Sequence, residues 1–222
     1  GVYQMPKSLK AVLFDLDGTL LDTLQDLADS GNAALEVLGY PTHRVDAYRH
    51  FVGDGMAVLA QRILPAHVTD PAMQARCLDV VREQYAQRWN HSSRPYDGVE
   101  GMLDALAEDS VPMAVLSNKP HDFTRLTVEH LLARWTFAEV QGVDADTPPK
   151  PDASGALAMT ARLQLEPSRC LYVGDTRIDM ETATAADMIP VGVTWGFRDE
   201  EELRAHGARH IIHHPDELLD LT

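Results

Sequence analysis

The chain has 222 residues, 45% of them hydrophobic, with 19 basic and 34 acidic side chains and a formal net charge of −15. That length holds one large domain, or a domain with a smaller insert, around a sizeable core. So acidic a surface repels nucleic-acid backbones and anionic membranes, which excludes both as partners, while a local site can still take a small anion.

Two cysteines, Cys77 and Cys170, stand far apart. They argue against a disulfide framework and for buried thiols in a reducing cytoplasm. No apolar run is long enough to span a membrane, and no leader is visible. Gly1 to Gln4, ahead of Met5, read as an expression remnant with Met5 as the natural start.

In chain order, residues 12–14 read as a fully buried strand that delivers Asp15 and Asp17 into a Gly18-Thr19 turn. Helical spacing of Leu24, Leu27, Ala28, Leu35 and Leu38 predicts a helix over 23–38, stopped by Gly39. Residues 42–93 carry no convincing strand. Helices are expected over 44–51 and 56–64, joined by the tight Val52-Gly53-Asp54-Gly55 connection. Asp70-Pro71 opens another, running to about Asn90. Residues 92–95 read as a return linker.

The pattern then changes. Short apolar strands are expected at 113–116, 139–142, 170–173, 190–193 and 210–212. Helices at 99–108, 122–132, 153–163, 178–186 and 200–206 separate them. Alternation of this kind implies an α/β fold: a Rossmann-like parallel sheet flanked by helices on both faces. Residues 5–21 and 96–222 form that core, and an all-helical block, 22–95, is inserted in it.

Ligands of such sheets bind beyond the carboxyl ends of the strands. Four strand ends carry unusual polar groups: Asp15 with Asp17, Ser117-Asn118-Lys119, Lys150-Pro151, and Gly174-Asp175 through Asp179. Asp15, Asp175 and Asp179 offer hard oxygen ligands suited to Mg²⁺. Ser117 and Lys150 suit phosphoryl oxygens. Gly18 lets backbone N–H groups approach an anion. Together these groups describe a phosphoryl group on a metal ion with a carboxylate poised to attack. Any one of them alone is ordinary turn or cap chemistry.

In this order the four groups resemble the four motifs of the haloacid dehalogenase superfamily, and Phe14-Asp15-Leu16-Asp17-Gly18-Thr19-Leu20 resembles its phosphatase branch, phosphoglycolate phosphatases in particular. The resemblance implies that Asp15 is the nucleophile and forms an aspartyl-phosphate. It makes Asp17 the general acid and then the base, its carbonyl also a metal ligand. Thr19 supports Asp17 and the loop, and Ser117, Asn118 and Lys150 hold the phosphoryl group. Asp175 ligates Mg²⁺, with Asp179 ligating through water or orienting the other ligands.

The helical block resembles the family's small cap, which closes over the site and chooses the substrate. In it Gly53 resembles a loop that faces the core. Asp54 is a poor neighbour for a carboxylated substrate unless its side chain points away. The implied substrate is a small phosphomonoester, phosphoglycolate or a sugar phosphate such as N-acetylmuramate 6-phosphate, and the implied assembly is a monomer or homodimer. A phosphosugar mutase of the β-phosphoglucomutase type is the alternative, and a non-catalytic binding module a weaker one. Dehalogenases lack the equivalent of Asp17. Phosphonatases use a cap lysine, and no lysine lies between Lys10 and Lys119.

Smaller features have plain readings. Asp187 stands at a helix end where the family has Gly, and Asp tolerates a left-handed backbone. Trp195 to Arg198 line the entrance or form a structural turn. Arg177 meets substrate anions or solvates its loop. Trp89 packs in the cap. His210, His213 and His214 lie in a strand-to-turn segment unsuited to a metal site.

Overall fold

A computed structural model of the protein describes residues 11–222. Residues 5–10 of the expected core, and the start proposed at Met5, lie outside the described residues. The first strand, β1 (Ala11–Phe14), is fully buried on both faces, as a central parallel strand must be. The chain then crosses to the insert through β2 (Leu21–Asp22).

The insert contains α1 (Leu24–Leu38), a 3-10 segment (Val45–His50), α2 (Met56–Ile63) and α3 (Pro71–Arg88). Gly39 ends α1 at φ +80°, with its own N–H on Glu36 O and that of Tyr40 on Leu35 O. Asp70 caps α3 by accepting from Ala72 N at 3.0 Å, with Pro71 in the first turn. The apolar faces of these helices converge on Leu27, Leu35, Tyr48, Met56, Leu59, Ile63, Val81 and Tyr85. Phe123 and Phe197 of the sheet domain join that cluster.

The return linker is not a plain linker: Arg94–Pro95 is a strand, β3, paired antiparallel with β2. Buried Asp26 of α1 gathers Ser92 N, Ser93 N and Ser93 Oγ within 3.0 Å. Both crossings between insert and sheet are thereby tied together.

Thereafter α4 (Val99–Glu108), β4 (Met113–Pro120), α5 (His121–Leu131), β5 (Glu139–Val143), α6 (Ser154–Arg162), β6 (Cys170–Gly174), α7 (Arg177–Ala185), β7 (Ile189–Val193), α8 (Glu200–Ala205) and β8 (His210–Ile212) alternate. They build a six-stranded, wholly parallel sheet in the order β5-β4-β1-β6-β7-β8. One face packs Val12, Phe14, Val115 and Val173 on α4 and α5. The other packs Leu13, Leu116 and Tyr172 on α6 and α7. Two short 3-10 segments, Pro167–Arg169 and Pro215–Leu221, were not expected.

One strand boundary differs in a way that matters. β4 runs to Pro120, four residues beyond the apolar run, with a register shift between Leu116 and Pro120. Ser117, Asn118 and Lys119 therefore lie in the strand end rather than after it. Asp187 adopts φ +59°, the left-handed backbone expected there. Cys77 and Cys170 are buried free thiols. No described helix is long and apolar enough to cross a membrane.

Candidate active site

β1 lies at the switch point of the sheet, with β4 on one side and β6 on the other. The ends of these three strands bring the predicted groups together. Asp15, Asp175 and Asp179, all buried, each offer a carboxylate oxygen within 4.8 Å of the others. Lys150 Nζ reaches Asp15 Oδ1 at 3.1 Å, Asp179 Oδ1 at 2.9 Å, Leu116 O at 2.9 Å and Tyr172 OH at 2.7 Å.

Burial, then the Asp179 charge, pushes the Asp15 carboxyl well above the usual range, against the pull of Lys150. Burial, then Asp179, pushes Asp175 up to about 6. Burial alone would lower Lys150, but Asp15 and Asp179 together outweigh it and hold the amine above its ordinary value. Buried carboxylates that repel one another in this way are what a divalent cation relieves. The three carboxylates form a donor set that could hold a hard cation. Asp179 Oδ2 accepts from Asp175 N, Thr176 N and Thr176 Oγ1, while Oδ1 is held by Lys150 and Tyr172. That engagement makes Asp179 an orienting group.

Two glycines make this packing possible. A Cβ on Gly18, at φ +87°, would lie 2.2 Å from Asp175 Oδ2. One on Gly196 would lie 2.2 Å from Gly18 O. The Trp195 to Arg198 turn is thereby a support of the site. Trp195 Nε1 donates to Thr19 O at 2.9 Å, and Phe197 N donates to Asp175 Oδ2 at 2.9 Å.

Several predicted roles fall differently. Thr19 does not hold Asp17: the loop turns at Gly18, and Thr19 Oγ1 donates to Asp175 Oδ1 at 3.1 Å. Thr23 takes the expected place, its Oγ1 on Asp17 Oδ1 at 2.7 Å. Asn118 has both ends of its amide engaged. Its Oδ1 accepts from Lys150 N at 2.7 Å, and its Nδ2 donates to Lys150 O and to Gly53 O. These bonds brace Lys150 and the cap loop from the cavity floor. Ser117 is buried, its Oγ accepting from Lys119 N at 3.0 Å. Arg177 pairs with Glu181 on its own helix, away from the cavity. Asp54 pairs with Arg62 at 2.6 Å and does not line the cavity.

That cavity, about 40 Å³, lies between Asp15, Asp17, Asn118 and Lys119 below and Leu27, Val52, Met56 and Leu59 above, with the Gly53 and Gly55 backbones at its rim. Arg198 binds Arg49 O of the insert, and Arg49 Nη1 reaches back to Gly196 O at 3.3 Å, so the cap is latched shut over the sheet domain. Lys119, to which the motifs assign no task, is the surprise: its buried ammonium pairs with Asp17 Oδ1 at 2.7 Å. Only its place after Ser117-Asn118 hinted at it.

The family model of the haloacid dehalogenase-like hydrolases matches residues 12–193. A phosphoglycolate phosphatase of Vibrio parahaemolyticus is 31% identical over 222 residues, covering 97% of each chain. An N-acetylmuramic acid 6-phosphate phosphatase of Pseudomonas aeruginosa is 32% identical, covering 96% of this chain and 94% of its own. The solved structure of a candidate phosphoglycolate phosphatase from Lactobacillus delbrueckii superposes with a TM-score of 0.90 at 29% identity, covering 96% and 98%. The chain belongs to the haloacid dehalogenase-like hydrolases. Within them it is a phosphatase-type enzyme, a phosphoric monoester hydrolase similar to the phosphoglycolate phosphatases.

Proposed function

We propose that the protein is a Mg²⁺-dependent phosphatase that hydrolyses a small phosphomonoester through an aspartyl-phosphate on Asp15. The observation that carries this is the buried meeting of Asp15, Asp175 and Asp179 with Lys150, beside a second carboxylate, Asp17, that lines the same cavity. An Asp15 oxygen attacks phosphorus as the ester P–O bond breaks. Asp17 gives a proton to the departing alkoxide, then takes one from the water that cleaves the acyl phosphate. Lys150 balances charge on Asp15 and Asp179 and on the phosphoryl oxygens. Mg²⁺, held by Asp15, Asp175 and the Asp17 carbonyl, would supply charge neutralisation to the same oxygens.

The small cavity supports a small leaving group. About 40 Å³ is room for a few waters between the insert and the strand ends. Asp54 faces Arg62, which removes its conflict with a carboxylated substrate. A leaving group as small as glycolate suits this cavity better than an amino sugar. Buried free thiols fit a cytoplasmic setting.

Phosphate release across phosphoglycolate, glycerol phosphate, hexose phosphates, N-acetylmuramate 6-phosphate, nucleotides and pyrophosphate, with Mg²⁺, tests the reading. The small phosphomonoesters are expected to turn over best. Conversion of glucose 1-phosphate to glucose 6-phosphate without phosphate release would instead make it a mutase.

A further inference from the structure

Lys119 is a buried side chain that the chemistry above leaves without a task. Its Nζ donates to Asp17 Oδ1 at 2.7 Å and to the Tyr85 hydroxyl, and lies 4.6 Å from the centre of the Tyr85 ring. Burial pulls this amine down, but the Asp17 and Tyr85 oxygens outweigh burial and keep it charged. Tyr85 comes from α3 in the cap, where its ring stands edge-on to Phe123 of the sheet domain at 4.9 Å. Thr23 Oγ1 takes the same Asp17 oxygen at 2.7 Å. Among the described residues no hydrogen bond reaches Asp17 Oδ2. One oxygen is pinned from two sides, and the other is left for the cavity.

We infer that Lys119 and Tyr85 are positioning residues for Asp17: the cap holds Lys119 through Tyr85, and Lys119 fixes Asp17 Oδ1 so that Oδ2 carries the proton. The inference rests on the proton-transfer role of Asp17 proposed above. It links the cap to proton delivery, because the cap supplies the Tyr85 that holds Lys119.

The leaving group separates this role from general support of the site. An alkoxide needs a proton to depart, whereas p-nitrophenolate leaves without one. Lost positioning therefore slows alkyl esters and spares the aryl ester, while structural damage slows all alike. kcat/KM is the quantity to read, because it reports the steps up to transfer onto Asp15.

The test compares the Mg²⁺-loaded wild type with Tyr85→Phe, Lys119→Met and Lys119→Arg on three esters: phosphoglycolate, ethyl phosphate and p-nitrophenyl phosphate. General acid catalysis contributes roughly 10²–10⁴-fold. Lys119→Met should therefore lower kcat/KM about 10²-fold on both alkyl esters, and Tyr85→Phe should lower it several-fold. Both should lower kcat/KM on p-nitrophenyl phosphate far less than on the alkyl esters, and Lys119→Arg should recover part of the alkyl-ester loss. Tyr85→Phe keeps the test alive if Lys119→Met fails to fold. An equal loss on all three esters overturns the inference. So does a loss confined to phosphoglycolate, which would make Lys119 an anchor for the substrate carboxylate. A wild type that hydrolyses none of the three, nor any ester of the wider panel above, removes the phosphatase reading and this inference with it.

Discussion

The floor of the cavity comes from the ends of β1 and β4, backed by the charged groups that follow β6, and is a lattice of charge; its roof comes from α1, α2 and the loop before α2 and is apolar. On the floor, nearly every carboxylate oxygen has a named partner, and the partners come from other strands or loops. On the roof, Leu27, Val52, Met56 and Leu59 offer surface and no chemistry. A charged network held by buried hydrogen bonds tolerates few changes, because each deletion strands a buried partner. An apolar roof tolerates exchange of one side chain for another of similar volume. The difference teaches where reaction and selection are kept: the floor sets the reaction, and the roof sets the shape of what enters.

That contrast can be broken by substitution. Lys150→Met should be the most damaging, leaving Asp15 and Asp179 buried without their cation. Removing one member of a buried pair costs about 3–5 kcal/mol, to be read by denaturant unfolding in metal-free buffer. A variant as stable as the wild type would show that the floor is not an interdependent network.

Mg²⁺ comes next. At a hundredfold excess over its Kd, a ligand adds about 2.7 kcal/mol, or roughly 5–10 °C in Tm for a chain this long. The pH dependence has a definite sign. Asp175 is pushed from 3.8 to about 6, so in the metal-free protein its contribution to stability is full below 3.8 and is lost as pH rises through about 6. Mg²⁺ competes with that proton. Its stabilising effect should be complete above about pH 7 and fade as pH falls through the same window. A Tm gain that is equal at pH 5 and pH 8 would detach the metal from Asp175.

The roof should respond in selectivity. Met56→Ala enlarges the cavity and should shift the kcat/KM ratio of hexose phosphate to phosphoglycolate by about tenfold, within the range a few methylenes command. Loss of both activities in proportion would mean that Met56 only supports the cap. The smallest effect is expected at Asp54. Asp54→Ala breaks an ion pair on the cap that lies outside the cavity, and should change stability by less than about 1 kcal/mol and leave KM unchanged. A large KM change would place Asp54 at the substrate.

The end of β1 and the boundaries of two cap helices were legible because local chemistry dictates them: the apolar run 12–14, Gly39 after α1, Asp70-Pro71 before α3. The acidic cluster was legible because its members sit at fixed points of that pattern. What stayed hidden depends on tertiary approach. Thr19 and Thr23 are indistinguishable as hydroxyl donors until the turn at Gly18 sends one to Asp175 and the other to Asp17. Tyr85 reads as one more apolar position of α3 until the cap folds down on Lys119. Asp26 looks like a polar residue in the first turn of a helix, yet its carboxylate binds the returning chain at Ser92 and Ser93, some 66 residues on.

Asp15 as covalent nucleophile is the claim on which the rest depends. Acid quenching during steady-state turnover, followed by peptide mass spectrometry, tests it directly. With p-nitrophenyl phosphate, whose leaving group needs no proton, the account predicts a phosphoryl adduct on Asp15, labile to hydroxylamine, that accumulates when Asp17 is replaced by a side chain unable to take a proton from water. Sustained phosphate release with no adduct on Asp15, or with the adduct on another residue, would contradict it.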